Sequence, residues 1–299
     1  MINKKKNHKN TNGRRILLLS ILCLFGFCLV AQVRPQRNAA QPAKSKVYLL
    51  HSDVLKKSKD NSDAQILVGD VSFRHDSIYM YCDSACFYEK TNSLEAFHNV
   101  KFVQGDTLFL YGDYLFYDGN TQLAQVRNNV RMENRTTTLT TDSLNYDRIA
   151  NLGYFFDGGT LMDEQNVLTS DWGEYSPATK MSVFNYEVKL VNPQFTLTSD
   201  TLRYNTDTKI ASIVGPSDID SDENHIYSEL GFYYTQQGQA ELLERSVLTN
   251  NGKRMTGDSL FYDRNRGIGE AFQNVEFVDT INKNMLTGDY CFYNQLTGY

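Results

Sequence analysis

A tyrosine recurs at positions 88, 117, 146, 175, 204, 233, 262 and 293, six times at a spacing of 29 residues and once at 31. A fixed period of this size marks a chain built from stacked copies of one supersecondary unit, each burying its apolar face against its neighbours. Four residues before seven of these eight tyrosines stands an acid: Asp113, Asp142, Asp171, Asp200, Glu229, Asp258 and Asp289, with Ser84 the exception. The unit reads acid, any residue, small residue or Leu, any residue, Tyr. Examples are Gly112-Asp113-Tyr114-Leu115-Phe116-Tyr117 and Gly257-Asp258-Ser259-Leu260-Phe261-Tyr262. Ser52 to Lys57, 31 residues before Tyr88, reads as a degenerate opening copy.

Within each unit the period is two, so acid, Leu and Tyr are expected on one face of a strand and the variable residues between them on the other. The constant face is expected inside. A polar turn follows each tyrosine, such as Asp118-Gly119-Asn120, and then a second alternating strand, such as Val130 and Met132 against Arg131 and Glu133. Each unit is therefore two strands and two turns. Nineteen Tyr and seventeen Phe against five Pro agree with this, because aromatic and β-branched side chains suit a pleated, half-buried surface. The fold class is all-β, and one repeat domain is expected over 47–299. Tyr299 falls six residues after Tyr293, inside the expected turn, so the last unit lacks its second strand. The repeat reads either as a piece of a longer protein or as an open edge.

The N-terminus is a separate matter. Lys4, Lys5, Lys6, Lys9, Arg14 and Arg15 precede an uncharged apolar run from Ile16 to Ala31. That is an export signal, cleaved near Ala31 or retained as an anchor; residues 32–46, rich in Gln, Pro, Ala and Lys, read as a flexible leader. Cys82, Cys86 and Cys291 would remain. So sparse and odd a set does not make a disulfide framework.

The composition and motifs also narrow the chemistry. A net charge of −5, with bases interspersed among acids beyond the first fifteen residues, argues against nucleic acid as a partner. The acid ladder supplies one regular carboxylate per unit, whereas calcium needs six to eight converging oxygens; its structural role would be to cap a turn at a strand start. His51, His75, His98 and His225 fall at unrelated places in the unit and show no metal-ligand spacing. No nucleophile elbow or triad is present, and no cofactor is implied. The chain is not expected to be an enzyme. A tyrosine at the same register in every unit reads as a packing ladder with its hydroxyl at the rim.

Tyr79 to Ala85, Glu95 to Lys101 with its Asn-Val, Gln104 to Leu108 and Leu110 to Asp118 resemble the organic-solvent-tolerance, or OstA-like, family of lipopolysaccharide-transport proteins. The resemblance covers nearly all of 47–299. It implies a β-jelly-roll, an open trough of stacked antiparallel strands that holds lipid A acyl chains between apolar walls in the periplasm of a Gram-negative cell, associated with the outer membrane. The inner wall would include Leu115, Tyr117, Val130, Met132, Leu144, Tyr146, Val188, Leu190, Leu202, Tyr204, Leu260, Tyr262, Val275 and Phe277. Implied partners are lipopolysaccharide, other OstA-like proteins and the outer-membrane translocon, met through edge strands, with self-association by the same route. Gly173 and Gly231 depart from the pattern by replacing Leu. The rival reading is a structural or adhesive β-solenoid with a closed core.

Overall fold

The computed structural model of the chain describes residues 45–58, 63–221 and 223–298. The export segment and nearly all of the leader lie outside them. In chain order the strands are β1 (Tyr48–His51), β2 (Val54–Lys57), β3 (Gln65–His75), β4 (Ile78–Tyr88), β5 (Ser93–Gln104), β6 (Leu108–Asp118), β7 (Leu123–Asn134) and β8 (Thr137–Asp147). Then come β9 (Leu152–Phe155), β10 (Gly159–Asp163), β11 (Asn166–Ser170), β12 (Trp172–Tyr175), β13 (Met181–Asn192), β14 (Phe195–Asn205), β15 (Ile210–Ser221) and β16 (Asn224–Tyr234). The remainder are β17 (Gln239–Leu243), β18 (Val247–Asn250), β19 (Lys253–Thr256), β20 (Ser259–Asp263), β21 (Ile268–Asp279) and β22 (Asn284–Asn294).

The strands form an antiparallel meander in which each pairs with its neighbours along the chain. The short strands are halves of long ones. β8 pairs with β9 through Leu144–Asp147 and with β10 through Thr137–Thr141, so β9 and β10 together replace one long strand. β11 with β12, β17 with β18 and β19 with β20 are split at the same point of the unit.

That point is a bend. Between β6 and β7, three residues (Asn128, Asn129 and Val130) stand against two (Gly112 and Asp113). Asn128 and Asn129 take φ of 62° and 53°, and His98–Asn99, Tyr186–Glu187 and Gln273–Asn274 repeat the left-handed pair. Asn tolerates this region better than most residues, and it stands before the buried Val at 99, 129 and 274. The extra residue bends β7, which keeps its phase, and makes the partner strand β6 change its own. In β6 the buried positions are 108, 110 and 112 before the bend but 115 and 117 after it.

Each long strand thus crosses from one wall to a second, and the apolar residues of both meet in one core that runs from Val47 to Tyr293. The architecture is an all-β, repeat-built jelly-roll: two facing apolar walls joined along a spine of bends. The first wall holds the half-strands ending at His75, Gln104, Asn134 and their equivalents. The second holds the half-strands that carry the tyrosines.

Three expectations change here. The acid does not share the inner face, because it lies where the phase shifts and points outward. Asn129 Nδ2 donates to Asp113 Oδ2 at 2.6 Å, and Asn274 Nδ2 to Asp258 Oδ2 at 2.6 Å, so these acids tie the bend. They cap no turn. Turns are capped by the residue after the tyrosine: Asp118 Oδ1 accepts from Asn120 N at 2.8 Å, Asp147 Oδ1 from Ile149 N at 2.8 Å and Asn205 Oδ1 from Asp207 N at 2.9 Å. Finally, Phe87 and not Tyr88 faces the core in the first unit. Asp83 accepts from Asn99 Nδ2 at 2.8 Å, as Asp113 does from Asn129, so Asp83 is the ladder acid and Ser84 was the wrong residue to compare. Tyr88 lies on the outer face, bonded to Glu95 Oε2 at 2.7 Å.

Candidate functional site

The interior between the walls is the continuous surface that the repeat builds. Leu115, Tyr117, Leu144, Tyr146, Leu202, Tyr204, Leu260 and Tyr262 lie in the second wall and Val130, Met132, Val188, Leu190 and Val275 in the first, all buried. Phe277 is only partly buried, packed on Tyr293 with ring centroids 5.6 Å apart. The alternation also runs through Phe73, Phe102, Phe155 and Phe184, all fully buried, which the tyrosine register alone does not reveal.

The walls touch. Phe102 of the first wall meets Tyr117 and Tyr146 of the second at 6.1 and 6.0 Å between ring centroids, both edge-on. Leu144, Tyr146, Leu202 and Tyr204 are 0% exposed, so in this state water does not reach the middle of the interior. The two glycines that replace Leu are filled by neighbours. A Cβ on Gly173 would sit 2.5 Å from Phe155 Cζ, and one on Gly231 would sit 3.1 Å from Leu242 Cδ2.

Opposite the spine, the tyrosine hydroxyls close the interior. Five of the tyrosines, each near the end of a second-wall half-strand, meet a polar side chain that ends a first-wall half-strand 41 to 43 residues earlier. Tyr117 Oη and His75 Nδ1 are 2.6 Å apart; Tyr146 Oη lies 3.4 Å from Gln104 Oε1 and 3.2 Å from Asn151 Oδ1; Tyr175 Oη donates to Asn134 Oδ1 at 3.2 Å, Tyr204 Oη to Asp163 Oδ2 at 2.8 Å and Tyr293 Oη to Asn250 Oδ1 at 3.4 Å. This seam was absent from the sequence reading. Its signal is a polar residue at 75, 104, 134, 163, 192, 221 and 250, the same period seen from the other wall.

Burial sets the electrostatics of the seam. It pushes the hydroxyls of Tyr117 and Tyr146 up to about 12, above the ordinary tyrosine value. It lowers the pKa of His75, a pull that the Asp76 carboxylate opposes in part. Lys209 Nζ bonds the buried Asp163 and lies 3.3 Å from Glu164 Oε1, so the one deeply buried carboxylate of this stretch is paired. Arg148 Nη1 reaches Asp76 Oδ2 at 3.2 Å and ties a turn of one wall to a turn of the other.

Shallow depressions line the outer side of the bends, one of about 530 Å³ bounded by Asn129, Thr141, Asp142 and Gly158 among others. Among the described residues, no three His, Cys, Asp or Glu side chains gather as a metal site. Cys82, Cys86 and Cys291 are free thiols, and no described helix is long and apolar enough to cross a membrane.

The OstA-like protein family matches residues 44–200 and 205–298. No curated protein matches the chain. Among solved structures the chain is similar to LptH of Pseudomonas aeruginosa, described as the LptA-homologous periplasmic component of a conserved lipopolysaccharide transport device. The identity is 17% and the TM-score 0.36, over 38% of this chain and 93% of that one.

Proposed function

The chain belongs to the OstA-like family, and we propose from that premise that it serves lipopolysaccharide transport and assembly at the outer membrane. It works in the periplasm, exported by its N-terminal signal. Lipid A acyl chains lie between the two walls, against Leu115, Leu144, Leu202, Val188 and their equivalents. No residue is assigned any covalent chemistry.

The observation that carries this reading is an apolar interior continuous across the units, with its polar groups at the two margins, along the seam and at the bends. The walls must part to admit lipid, and the energies allow it. Burying roughly ten methylenes gains about 8 kcal/mol, while each neutral seam hydrogen bond contributes only about 1 kcal/mol net. Wall-to-wall contacts are exchanged for wall-to-lipid contacts of the same apolar kind. The spine is covalent and stays closed, so the trough opens along the tyrosines.

β22 pairs with β21 along one side. Its other side offers backbone donors and acceptors for β-augmentation by a neighbouring OstA-like protein, the translocon or a second copy. Met285 and Leu286 there are 60% and 64% exposed, so apolar contact would accompany the pairing.

The shut interior favours a second reading, a structural scaffold whose core simply packs on itself. Native mass spectrometry of the chain purified from cells that make lipopolysaccharide separates the two. A bound mass matching lipopolysaccharide supports transport; a lipid-free protein, or one carrying only phospholipid, supports the scaffold.

A further inference from the structure

The seam departs from its pattern at Tyr233. By register the partner of Tyr233 is Asn192, 41 residues earlier, yet Asn192 Nδ2 donates to Asn166 Oδ1 at 3.0 Å and Asn192 Oδ1 accepts from Gln194 N at 3.1 Å. Tyr233 instead packs on Phe195, with ring centroids 4.5 Å apart, and its hydroxyl faces Arg264. A cavity of about 260 Å³ remains at the mouth, lined by Glu164, Gln165, Asn166, Asn192, Gln194, Thr235 and Gln236.

The chemistry of that lining is specific. Every one of these side chains ends in a carboxamide, a hydroxyl or a carboxylate, giving donors and acceptors in alternation and little apolar surface. Asn166 and Asn192 are buried and held by neighbours, Asn166 Nδ2 donating to Tyr204 Oη at 3.0 Å, so that part of the lining is fixed in advance. Arg264 Nη2 bonds Gln194 and holds it at the rim of the cavity. Planar amides that can each both donate and accept match vicinal hydroxyls; a bare anion would meet Glu164, and an acyl chain would leave all the polar groups unpaired.

We propose that this gap in the seam binds one sugar ring. The source is either the saccharide head of a glycolipid or a free glycan. The first follows if the lipid's chains lie between the walls, as the reading above holds, because an amphiphile so placed carries its polar head to the mouth of the trough.

The test uses the full chain and its Gln165→Ala/Gln236→Ala variant, both residues being exposed, so the fold should survive with an unchanged thermal midpoint. Each is titrated calorimetrically with lipopolysaccharide, with the same glycan stripped of all acyl chains, and with phosphatidylglycerol vesicles. The expected result is binding of the stripped glycan by the parent chain, weakened at least about ten-fold in the variant, with a smaller loss for intact lipopolysaccharide. Equal lipopolysaccharide binding by both proteins with no glycan binding by either overturns the sugar site and leaves the transport reading standing. Glycan binding by the parent alone, with no response to lipopolysaccharide, keeps the sugar site as one for a free glycan and removes transport. If nothing binds, both fall.

Discussion

At the scale of the residue, the tyrosine ladder does two things at once. Each ring fills the core, and each hydroxyl must find a partner because an unpaired buried hydroxyl is costly. That requirement puts a polar residue at the matching point of the other wall. It also makes the seam testable residue by residue. Tyr204→Phe removes the donor to Asp163 and should cost about 1–3 kcal/mol in urea denaturation. Tyr233→Phe, which forfeits no bond across the seam, should cost less than about 0.5 kcal/mol. Equal costs would mean that the hydroxyls do not hold the walls together.

His75 gives the pH dependence. Its folded pKa lies below the ordinary 6.5, so the unfolded chain takes up the proton more readily. The stability it contributes as a neutral side chain is complete above pH 6.5 and falls as the pH drops through that value toward the folded one. Thermal melts between pH 7.5 and 5 should therefore show a steeper loss for the parent chain than for His75→Gln. The inward Leu and Tyr positions were readable from the sequence because they obey one period. The seam was not, because its partners lie 41 to 43 residues apart and no local pattern links them.

At the scale of the element, what decides the fold is the two-residue left-handed step that turns one long strand into two half-strands. The Asn-Val dipeptide was visible in the sequence, but its meaning was not: alternation looks unbroken when one counts from the acid to the tyrosine. The shift lies just before the acid, where Leu108 and Leu110 give way to Leu115 and Tyr117, and so falls outside that count. The same blindness placed Asp113 on the inner face and chose Tyr88 over Phe87. Two predictions belong here. Asn129→Val puts a β-branched residue at φ 53° and removes the bond to Asp113; a loss of about 1–2 kcal/mol from the backbone alone is expected. Gly173→Leu, which would restore the repeat, should cost about 1–3 kcal/mol by overpacking against Phe155. Combined with Phe155→Ala it should cost less than the two single changes added, a coupling that denaturation of the four proteins measures.

At the scale of the whole molecule, the period announced a stack of identical units, and the described strands form that stack. The resemblance carried by residues 79–118 extended it to a lipid trough, and the family match now spans both halves of the chain. What no sequence pattern could say is whether the walls stand apart or together, since the same alternating apolar residues serve a lined cavity and a packed core. Here they stand together, held on one side by covalent bends and on the other by the seam's hydrogen bonds with the Lys209–Asp163 and Arg148–Asp76 pairs. On the proposed function, transport would amount to replacing one apolar partner by another between walls that part along the seam.

The most direct measurement is site-specific photo-crosslinking in living cells, with a diazirine-bearing aliphatic residue placed at Leu144 in one strain and at Arg203 in another. Leu144 is fully buried between the walls, and Arg203 is exposed on the outer face beside Leu202 and Tyr204. Asn145, next to Leu144 in the chain, would not serve as the outer control, because it is buried and Arg127 Nη2 covers it with a hydrogen bond of 2.9 Å. Lipopolysaccharide adducts at Leu144 and none at Arg203 are the predicted result. Adducts at neither position in a folded protein, or equal adducts at both, would contradict a lipid path between the walls.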